Sequence, residues 1–292
     1  MIPHDVQALK EKLAGRRVVA SISGGKDSAA MSLYLKELGI EHDRVFMDTG
    51  WEHPLTYQYL RGELTRVIGP VTEISGPRKM VDLVLHKGMF PGRLRRFCTQ
   101  ELKVFPMQKY LATLDCEAVN AVGIRAAESA ARAQMAEWEW SEGFCCEVWR
   151  PLIAWSEQEV IDTHKRHGLA PNPLYLMGAT RVGCWPCIYA RKAEIRLVAD
   201  TDPARIDTIR ALEAVVGTAM QGRADAKGTT LATRPGWFAS RLNRVGVDPI
   251  DKVVEWSRTS HGGKQFEMYA ADPADAGCMR WGLCETNDPE KP

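Results

Sequence analysis

Apolar positions in the first half of the chain follow two alternating patterns. Arg17-Val18-Val19-Ala20-Ser21-Ile22 is a short run of strand-forming residues, and Asp43 to Met47, Val71 to Ile74 and Ala118 to Val122 repeat that character. Helical spacing fills the intervals. Ala29 to Leu38 places Met31, Leu35 and Leu38 on one stripe and stops at Gly39, and Pro54 to Ile68 predicts another helix. Strand–helix alternation of this kind predicts an α/β fold, a parallel sheet with helices on both faces. Ligands of such sheets bind outside the carboxyl ends of the strands, where Ser23–Ser28, Asp48-Thr49 and Gly123–Arg125 fall.

The pattern changes near Arg150. Val148 and Trp149 read as part of a buried strand. Ser156, with Glu159 three residues on, caps a helix running to about His167. Ile195 to Val215 reads as mostly helical, Ala224 to Thr233 as a loop, and Asp248 to Trp256 as a helix. The expected organisation is a nucleotide-binding domain over 1–190 and a mainly helical C-terminal region over 191–292 with a cysteine-bearing tail.

Composition narrows the class. Hydrophobic residues make up 45% and charged residues 26%, which excludes wholesale disorder. Basic and acidic residues number 38 and 37, so no global basic field points to nucleic acid, although a local patch remains open. No run approaches the about 18 apolar residues of a membrane span. The polar N-terminus is helical in pattern rather than a signal peptide, so a soluble cytoplasmic protein is expected. Eight cysteines are too few for a disulfide scaffold and read better as metal ligands or reactive thiols.

The most specific short signal is Ser23-Gly24-Gly25-Lys26-Asp27-Ser28 between a strand and a helix. Its glycines let amides converge on an anion, and the helix N-terminus adds partial positive charge. Lys26 can bind phosphate, and Ser23 and Ser28 can donate to it. Asp27 would repel a bare phosphate, so it orients loop amides or helps hold a divalent cation. The spacing is not that of the G-x-x-x-x-G-K-[ST] loop.

Ser23–Ser28 resembles the S-G-G-x-D-S signature of the PP-loop, or N-type ATP pyrophosphatase, superfamily, whose fold is adenine nucleotide alpha hydrolase-like. More of the chain resembles the branch of phosphoadenosine-phosphosulfate (PAPS) and adenosine-phosphosulfate (APS) reductases. The matching segments are Val45–Gly50 with Glu52 and Pro54, and Arg96–Thr99 through Leu102-Lys103 to Pro106-Met107. They continue with Gly123–Arg125, Glu128-Ser129 and Arg132, then Arg150–Leu152, Asn172–Tyr175 and Gly183–Cys187. The resemblance covers about residues 15 to 190. It implies nucleotide contacts at Ser21, Ser23, Gly24, Gly25, Lys26, Asp27, Ser28, Asp48, Thr49, Gly123, Arg125 and Arg132. It implies catalytic roles for Lys26, Asp27, Arg125 and Cys98.

Two departures matter. The phosphate loop is intact here, whereas it is usually degenerate in PAPS reductases. Their C-terminal E-C-G-L-H is replaced by Gly282-Leu283-Cys284-Glu285. The resemblance therefore fits better with relatives that adenylate a substrate and install sulfur, such as tRNA thiolases and DndC-like enzymes.

Cys184-Trp185-Pro186-Cys187 is a C-x-x-C, which by itself suits a redox pair, half a zinc site or half an iron–sulfur site. Resemblance to cluster-bearing APS reductases places Cys98 beside it. The tandem cysteine of those enzymes is Thr99 here, so Cys278 or Cys284 would complete a [4Fe–4S] cluster, with zinc as the alternative. Cys145-Cys146 reads as a structural pair and Cys116 as core. Arg93–Arg96 with Lys103 and Lys109 reads either as a solvated loop or as a grip on phosphates. Trp185 is a candidate shield for the thiols, and His53 a candidate at the same mouth. Trp237 and Trp281 read as packing residues, with base stacking as the alternative.

The expected function is an iron–sulfur enzyme that binds ATP with Mg²⁺ at the PP-loop, adenylates a substrate with release of pyrophosphate, and supports sulfur transfer. Alternatives are a thiol-dependent PAPS or APS reductase and a non-catalytic nucleotide-binding module. Expected partners are an adenine nucleotide, a sulfur donor such as a cysteine desulfurase or a thiol reductant, and a candidate nucleic-acid acceptor, with no membrane.

Overall fold

Side-chain alternation along β1 (Arg17–Ile22) decides the centre of the molecule. Val18, Ala20 and Ile22 enter one core and Val19 enters another, so both faces of this strand are covered. The computed structural model describes residues 5–92, 94–229, 236–238, 248–259 and 280–281. Its sheet contains β2 (His42–Met47), β3 (Thr72–Ile74), β4 (Ala118–Val122), β5 (Trp138–Ser141) and β6 (Cys146–Trp149) in the order β3-β2-β1-β4-β6-β5. Neighbouring strands are parallel except β5 and β6, an antiparallel hairpin at one edge. The expected parallel sheet is thus present. The edge strand is an addition that four half-exposed residues do not announce, because its order comes from Trp138 stacking on Trp149 at 5.0 Å.

Helices cover both faces. One layer is formed by α1 (Val6–Leu13), α2 (Lys26–Glu37), α3 (residues 54–68) and, further on, the helix Glu157–Arg166. It buries Leu9, Leu13, Leu33, Leu64 and Val160 against the sheet. The opposite face is covered by a helix over 97–111, whose Met107 and Leu111 meet Val19 and Val45.

Two expectations change here. α2 begins at Lys26, three residues before Ala29, so Lys26, Asp27 and Ser28 form a helical first turn rather than a loop. Around Cys98, residues 94–96 form an exposed loop as one of the two readings had it, while the chain is helical from Phe97, so Lys103 and Lys109 stand on a helix. Pro106 has no N–H for the carbonyl of Leu102, and the helix widens to a π turn over Gln100–Val104 just ahead of it.

With these helices included, α4 is Met80–Lys87, α5 is 97–111, α6 is Glu157–Arg166 and α7 is Pro173–Leu176. The helices beyond residue 190 are α8 (Lys192–Thr201), α9 (Pro203–Ala226) and α10 (Ile250–Ser257). The single helix expected over Ile195–Val215 breaks at Asp202, which caps α9 by accepting from the Arg205 amide at 3.1 Å, and Pro203 starts the new helix. α9 then runs to Ala226, through the start of the segment expected to be a loop. Ile195, Val198, Ile209, Leu212, Ile250 and Val253 share one core with Trp51, Met80, Leu102 and Trp185. Among the described residues, no helix is long and apolar enough to cross a membrane.

Two histidines are buried neutral within this frame. His42 has Nε2 at 2.8 Å from the Ser32 hydroxyl and donates from Nδ1 to the Ile40 carbonyl at 2.9 Å, while His164 donates from Nε2 to the Lys26 carbonyl at 2.9 Å. Burial lowers both pKa values. The unfolded chain therefore takes up protons at these positions as pH falls below about 6.5, where the folded chain resists them. Their contribution to stability is complete above that value and declines below it. We expect the melting temperature to fall between about pH 7.5 and about pH 5.5, with a shallower slope in a His42→Gln/His164→Gln variant. An unchanged slope in that variant would assign the pH dependence elsewhere.

Candidate active site

The chain leaves β1 through Ser23-Gly24-Gly25 and enters α2. Gly24 has φ +73°, and a β-carbon there would lie 2.8 Å from Thr56 Cγ2, so the turn demands glycine. The Ser23 amide donates to Ser28 Oγ at 3.1 Å, and the Ser28 hydroxyl donates to the Gly25 carbonyl at 3.0 Å. These bonds close the loop onto the first turn of α2. Residues from far along the chain hold it in place. Asn172 donates to the Gly24 carbonyl at 3.1 Å, the Tyr175 hydroxyl accepts the Lys26 amide at 3.0 Å, and His164 takes the Lys26 carbonyl.

β4 is the strand at which the chain, having built β1, β2 and β3 outward, returns to the other side of β1. Loops leaving β1 and β4 border the crevice of such a switch point. Gly123 shows how closely they approach: a β-carbon there would lie 2.7 Å from the Asp27 carbonyl oxygen and 2.9 Å from Ser28 Cα. Two residues on, Arg125 donates from Nε to Asp27 Oδ1. The buried Lys26 places Nζ 3.6 Å from Asp27 Oδ2 and 3.4 Å from Glu157 Oε1. Arg132 pairs with Glu128, and Arg181 with Glu194 at 2.8 Å.

A cleft of about 290 Å³ runs from this loop to the C-x-x-C. Ser23, Gly25, Asp27, Ser28, Gly123 and Arg132 line one end, and Cys184, Trp185, Cys187 and Lys103 line the other. Cys184 is bridged to Glu52, the Trp185 amide donates to the Trp51 carbonyl at 2.7 Å, and Trp51 Nε1 donates to the Pro186 carbonyl at 3.1 Å. Trp185 Nε1 donates to Asp202, so the residue that caps α9 also fixes the indole beside the thiols. The Thr49 hydroxyl donates to Glu52 at 2.7 Å and lies 3.9 Å from Cys184 Sγ.

Burial pushes the Cys184 thiol up to about 11, against the opposing pull of Lys103. Burial also raises Cys98, which interacts with Cys187 and Lys103. The Lys103 ammonium is favoured most by Cys184, and also by Glu52, Cys187 and Cys98. One cation thus answers three thiols, Cys98 from the first turn of α5 and the pair from the C-x-x-C. The three cysteines expected from the sequence as metal ligands also pack against one hydrophobic cluster.

Other expected residues sit elsewhere. Ser21 donates to Asn120 at 2.9 Å between strands. Asp48 accepts from Tyr57 at 2.6 Å and pairs with Lys79, and Thr49 is buried. None of these three lines the cleft, and neither do Gly24, Lys26 and Arg125, which stand behind its loop wall. Cys116 is exposed rather than in the core, because it precedes β4 at the end where the strand starts. Cys146 is buried in β6 and Cys145 is exposed at the hairpin. Trp237 is buried, stacked on Trp51 at 4.7 Å, and Trp281 is buried beside Tyr175 and Ile161, so both pack in the interior. His53 caps α3 through Nδ1 and meets Trp185 edge-on at 5.2 Å.

Cys278, Cys284 and Arg93 lie outside the described residues. Among the described residues, no group of three or more His, Cys, Asp or Glu side chains is placed to hold a metal ion. Residues that sequence reasoning left without a role include His164, Glu157, Asn172 and Tyr175. The last two lie in a segment of family resemblance, but the other two carry no local signal.

A cleft between a glycine loop at a strand–helix junction and a C-x-x-C places the chain among α/β proteins with a site at the carboxyl edge of a parallel sheet. Residues 17–190, more than half of the chain, match the model of the phosphoadenosine phosphosulfate reductase domain, and the chain belongs to that family. It is 31% identical over 322 residues to an uncharacterized 37.8 kDa protein of Escherichia phage 186, covering 91% of this chain and 96% of the relative. It is 33% identical over 161 residues to the adenosine 5′-phosphosulfate reductase of Deinococcus radiodurans, covering 53% of this chain and 60% of that one. With the corresponding Allochromatium vinosum enzyme it shares 33% over 96 residues, 33% of this chain and 36% of that one. The chain thus spans nearly all of the phage relative and about a third to three-fifths of these two reductases. Among solved structures, the PAPS reductase of Candida auris in its phosphate complex aligns at 18% identity with a TM-score of 0.49, covering 62% of this chain and 87% of that one.

The Asp27–Arg125 pair is nearly shielded from solvent. Removing one member of such a pair strands the other. We expect Arg125→Ala to destabilise the fold by about 3 kcal/mol, and Asp27→Asn in the same chain to recover part of the loss. Thermal or urea unfolding of the single and double variants checks this, and additive losses would show that the pair is uncoupled.

Proposed function

We propose that this protein binds ATP with its phosphates on Ser23–Ser28, adenylates an acceptor with release of pyrophosphate, and supports transfer of sulfur to the activated acceptor. The observation that carries the reading is the single cleft joining the phosphate loop to the thiol end. Converging amides, the N-terminus of α2 and Lys26 suit the β- and γ-phosphates. Arg125 and Lys26 screen Asp27, which lessens its repulsion of phosphate, and Asp27 remains a candidate carboxylate for Mg²⁺. An acceptor oxygen attacks the α-phosphorus as the bond to pyrophosphate breaks. Hydrosulfide released by the sulfur donor then attacks the acceptor atom that bears the adenylated oxygen, the bond to sulfur forms as the bond to that oxygen breaks, AMP leaves and the proton passes to solvent.

At the thiol end, three cysteines interact with one cation, Lys103, and this supports a thiolate-bound centre, although the described side chains by themselves form no group of three placed to hold a metal ion. The proposed [4Fe–4S] centre takes Cys98, Cys184, Cys187 and one of Cys278 and Cys284, the last two outside the described residues. Such a cluster would favour thiolate and sulfide chemistry at this end of the cleft. Zinc is the competing metal. Lys103 favours the thiolate forms, and Trp185 and Trp51 keep water from one side.

The second reading is a thiol-dependent reductase of APS or PAPS, favoured by the names of the relatives in Deinococcus radiodurans and Allochromatium vinosum. Product analysis separates the two. With ATP and an acceptor, pyrophosphate and AMP should form together. Sulfite released from APS or PAPS with a thiol reductant, with no ATP consumed, would reverse the order. For the metal, we expect anaerobically purified protein to contain iron and to lose it on Cys98→Ser, Cys184→Ser or Cys187→Ser, while Cys116→Ser and Cys145→Ser retain it. Zinc in place of iron, or full iron content in Cys184→Ser, would overturn the cluster.

A further inference from the structure

The phosphate loop is assembled next to a segment that lies more than 250 residues away in sequence. Trp281 is 2% exposed and packs with Ile161, Tyr175 and Val182. Its ring lies 5.2 Å from His164, nearly edge-on, and 5.9 Å from Tyr175. Those two residues hold the peptide groups on either side of Lys26 Cα. Tyr175 takes the amide of Lys26 and His164 takes its carbonyl. Tyr175 also places its ring 5.0 Å from the Lys26 ammonium. Trp281 therefore wedges both clamps against the first turn of α2.

Its neighbour Arg280 changes the charge. Lys26 faces two carboxylates, Asp27 and Glu157. Each is shared with an arginine: Asp27 with Arg125, and Glu157 with Arg280, whose Nε lies 3.9 Å from the same Oε1 that Lys26 approaches. Of these groups only Asp27 lines the cleft itself, with the others directly behind it, and the charged side chains that line the cleft nearby are matched, Arg132 with Glu128 and Arg181 with Glu194. With Arg280 in place, the five groups Lys26, Arg125, Arg280, Asp27 and Glu157 sum to one positive charge. Without it, the two carboxylates cancel Lys26 and Arg125, and the loop has no net charge to offer a phosphate.

We propose that Arg280 and Trp281 are positioning residues of the anion site. Trp281 packs on the Tyr175–His164 clamp, and Arg280 neutralises Glu157 so that the Lys26 ammonium is available to the phosphate chain of the nucleotide. This rests on the phosphate-loop reading above. A loop that the first half of the sequence spells out is thus electrostatically incomplete without Arg280 and Trp281.

The test is calorimetric titration of the full-length protein with inorganic pyrophosphate and with MgATP, with thermal melts of each variant. Arg280 is one-third exposed, so Arg280→Ala should fold normally and weaken pyrophosphate binding about five-fold. Adding Glu157→Gln to Arg280→Ala should restore most of the affinity, which a purely structural role for Arg280 would not do. Trp281→Ala should weaken binding at least as much, and Trp281→Phe should recover most of that loss. Lys26→Ala separates the two layers of the argument. If it leaves binding unchanged, the phosphate-loop reading fails and this proposal fails with it. If it abolishes binding while Arg280→Ala binds like the wild type, or Glu157→Gln gives no rescue, the loop reading stands and the role of Arg280 is overturned.

Discussion

Asp27 in the first turn of α2 is the charge on which the site is built. A carboxylate at a helix N-terminus is favoured by the helix dipole, but in the function proposed above it also stands where a phosphate would approach. Arg125, delivered from the end of β4, resolves the conflict by pairing with it. That pairing requires the two loops to touch, and the contact is possible because Gly123 has no side chain to strike the Asp27 backbone. The sheet order follows the same need, because β1 and β4 must be neighbours for their exit loops to meet.

The thiol end is organised by packing more than by charge. Trp51, Trp185 and Trp237 belong to the core shared with α8, α9 and α10, and hydrogen bonds from two of these indoles fasten the C-x-x-C turn. Burial keeps Cys184 protonated on its own, while Lys103 pulls towards the thiolate. A half-buried cation next to several thiols is poorly placed for a chain that only needs stability, since apolar residues would fill the space at lower desolvation cost. It suits a site in which negative charge accumulates on sulfur.

The C-terminal helices and the sheet are therefore joined through function-bearing residues. Asp202 caps α9 and holds Trp185. Arg205 of the same helix lies 4.1 Å over the Trp51 ring and donates to the Glu52 carbonyl. A change in the packing of α9 reaches the thiols through one hydrogen bond, and the cleft lies between them and the phosphate loop.

Much of this was legible in the residues. The strands β1 to β4, the helix 54–68, the S-G-G-K-D-S loop and the grouping of Cys98 with the C-x-x-C all follow from local pattern or family resemblance, because each is encoded in contiguous residues. The start of α2 at Lys26 was missed because the glycines before it mask the cap, and α5 because its basic and polar residues look like a solvated loop while Met107 and Leu111 carry the burial. Ser21, Asp48 and Thr49 occupy positions that suggest ligand contact, yet their side chains are bound to Asn120, Lys79 and Glu52. By itself, the sequence determined the α/β class, the chemistry of the loop and the identity of the thiols. Tertiary structure alone decided which distant groups complete them: His164, Tyr175 and Glu157 around Lys26, and Lys103 among the cysteines. The roles of the Lys26 partners depend on distances of about 3 Å between segments far apart along the chain, and that of Lys103 on the packing of α5 against the C-x-x-C, and no local periodicity encodes either.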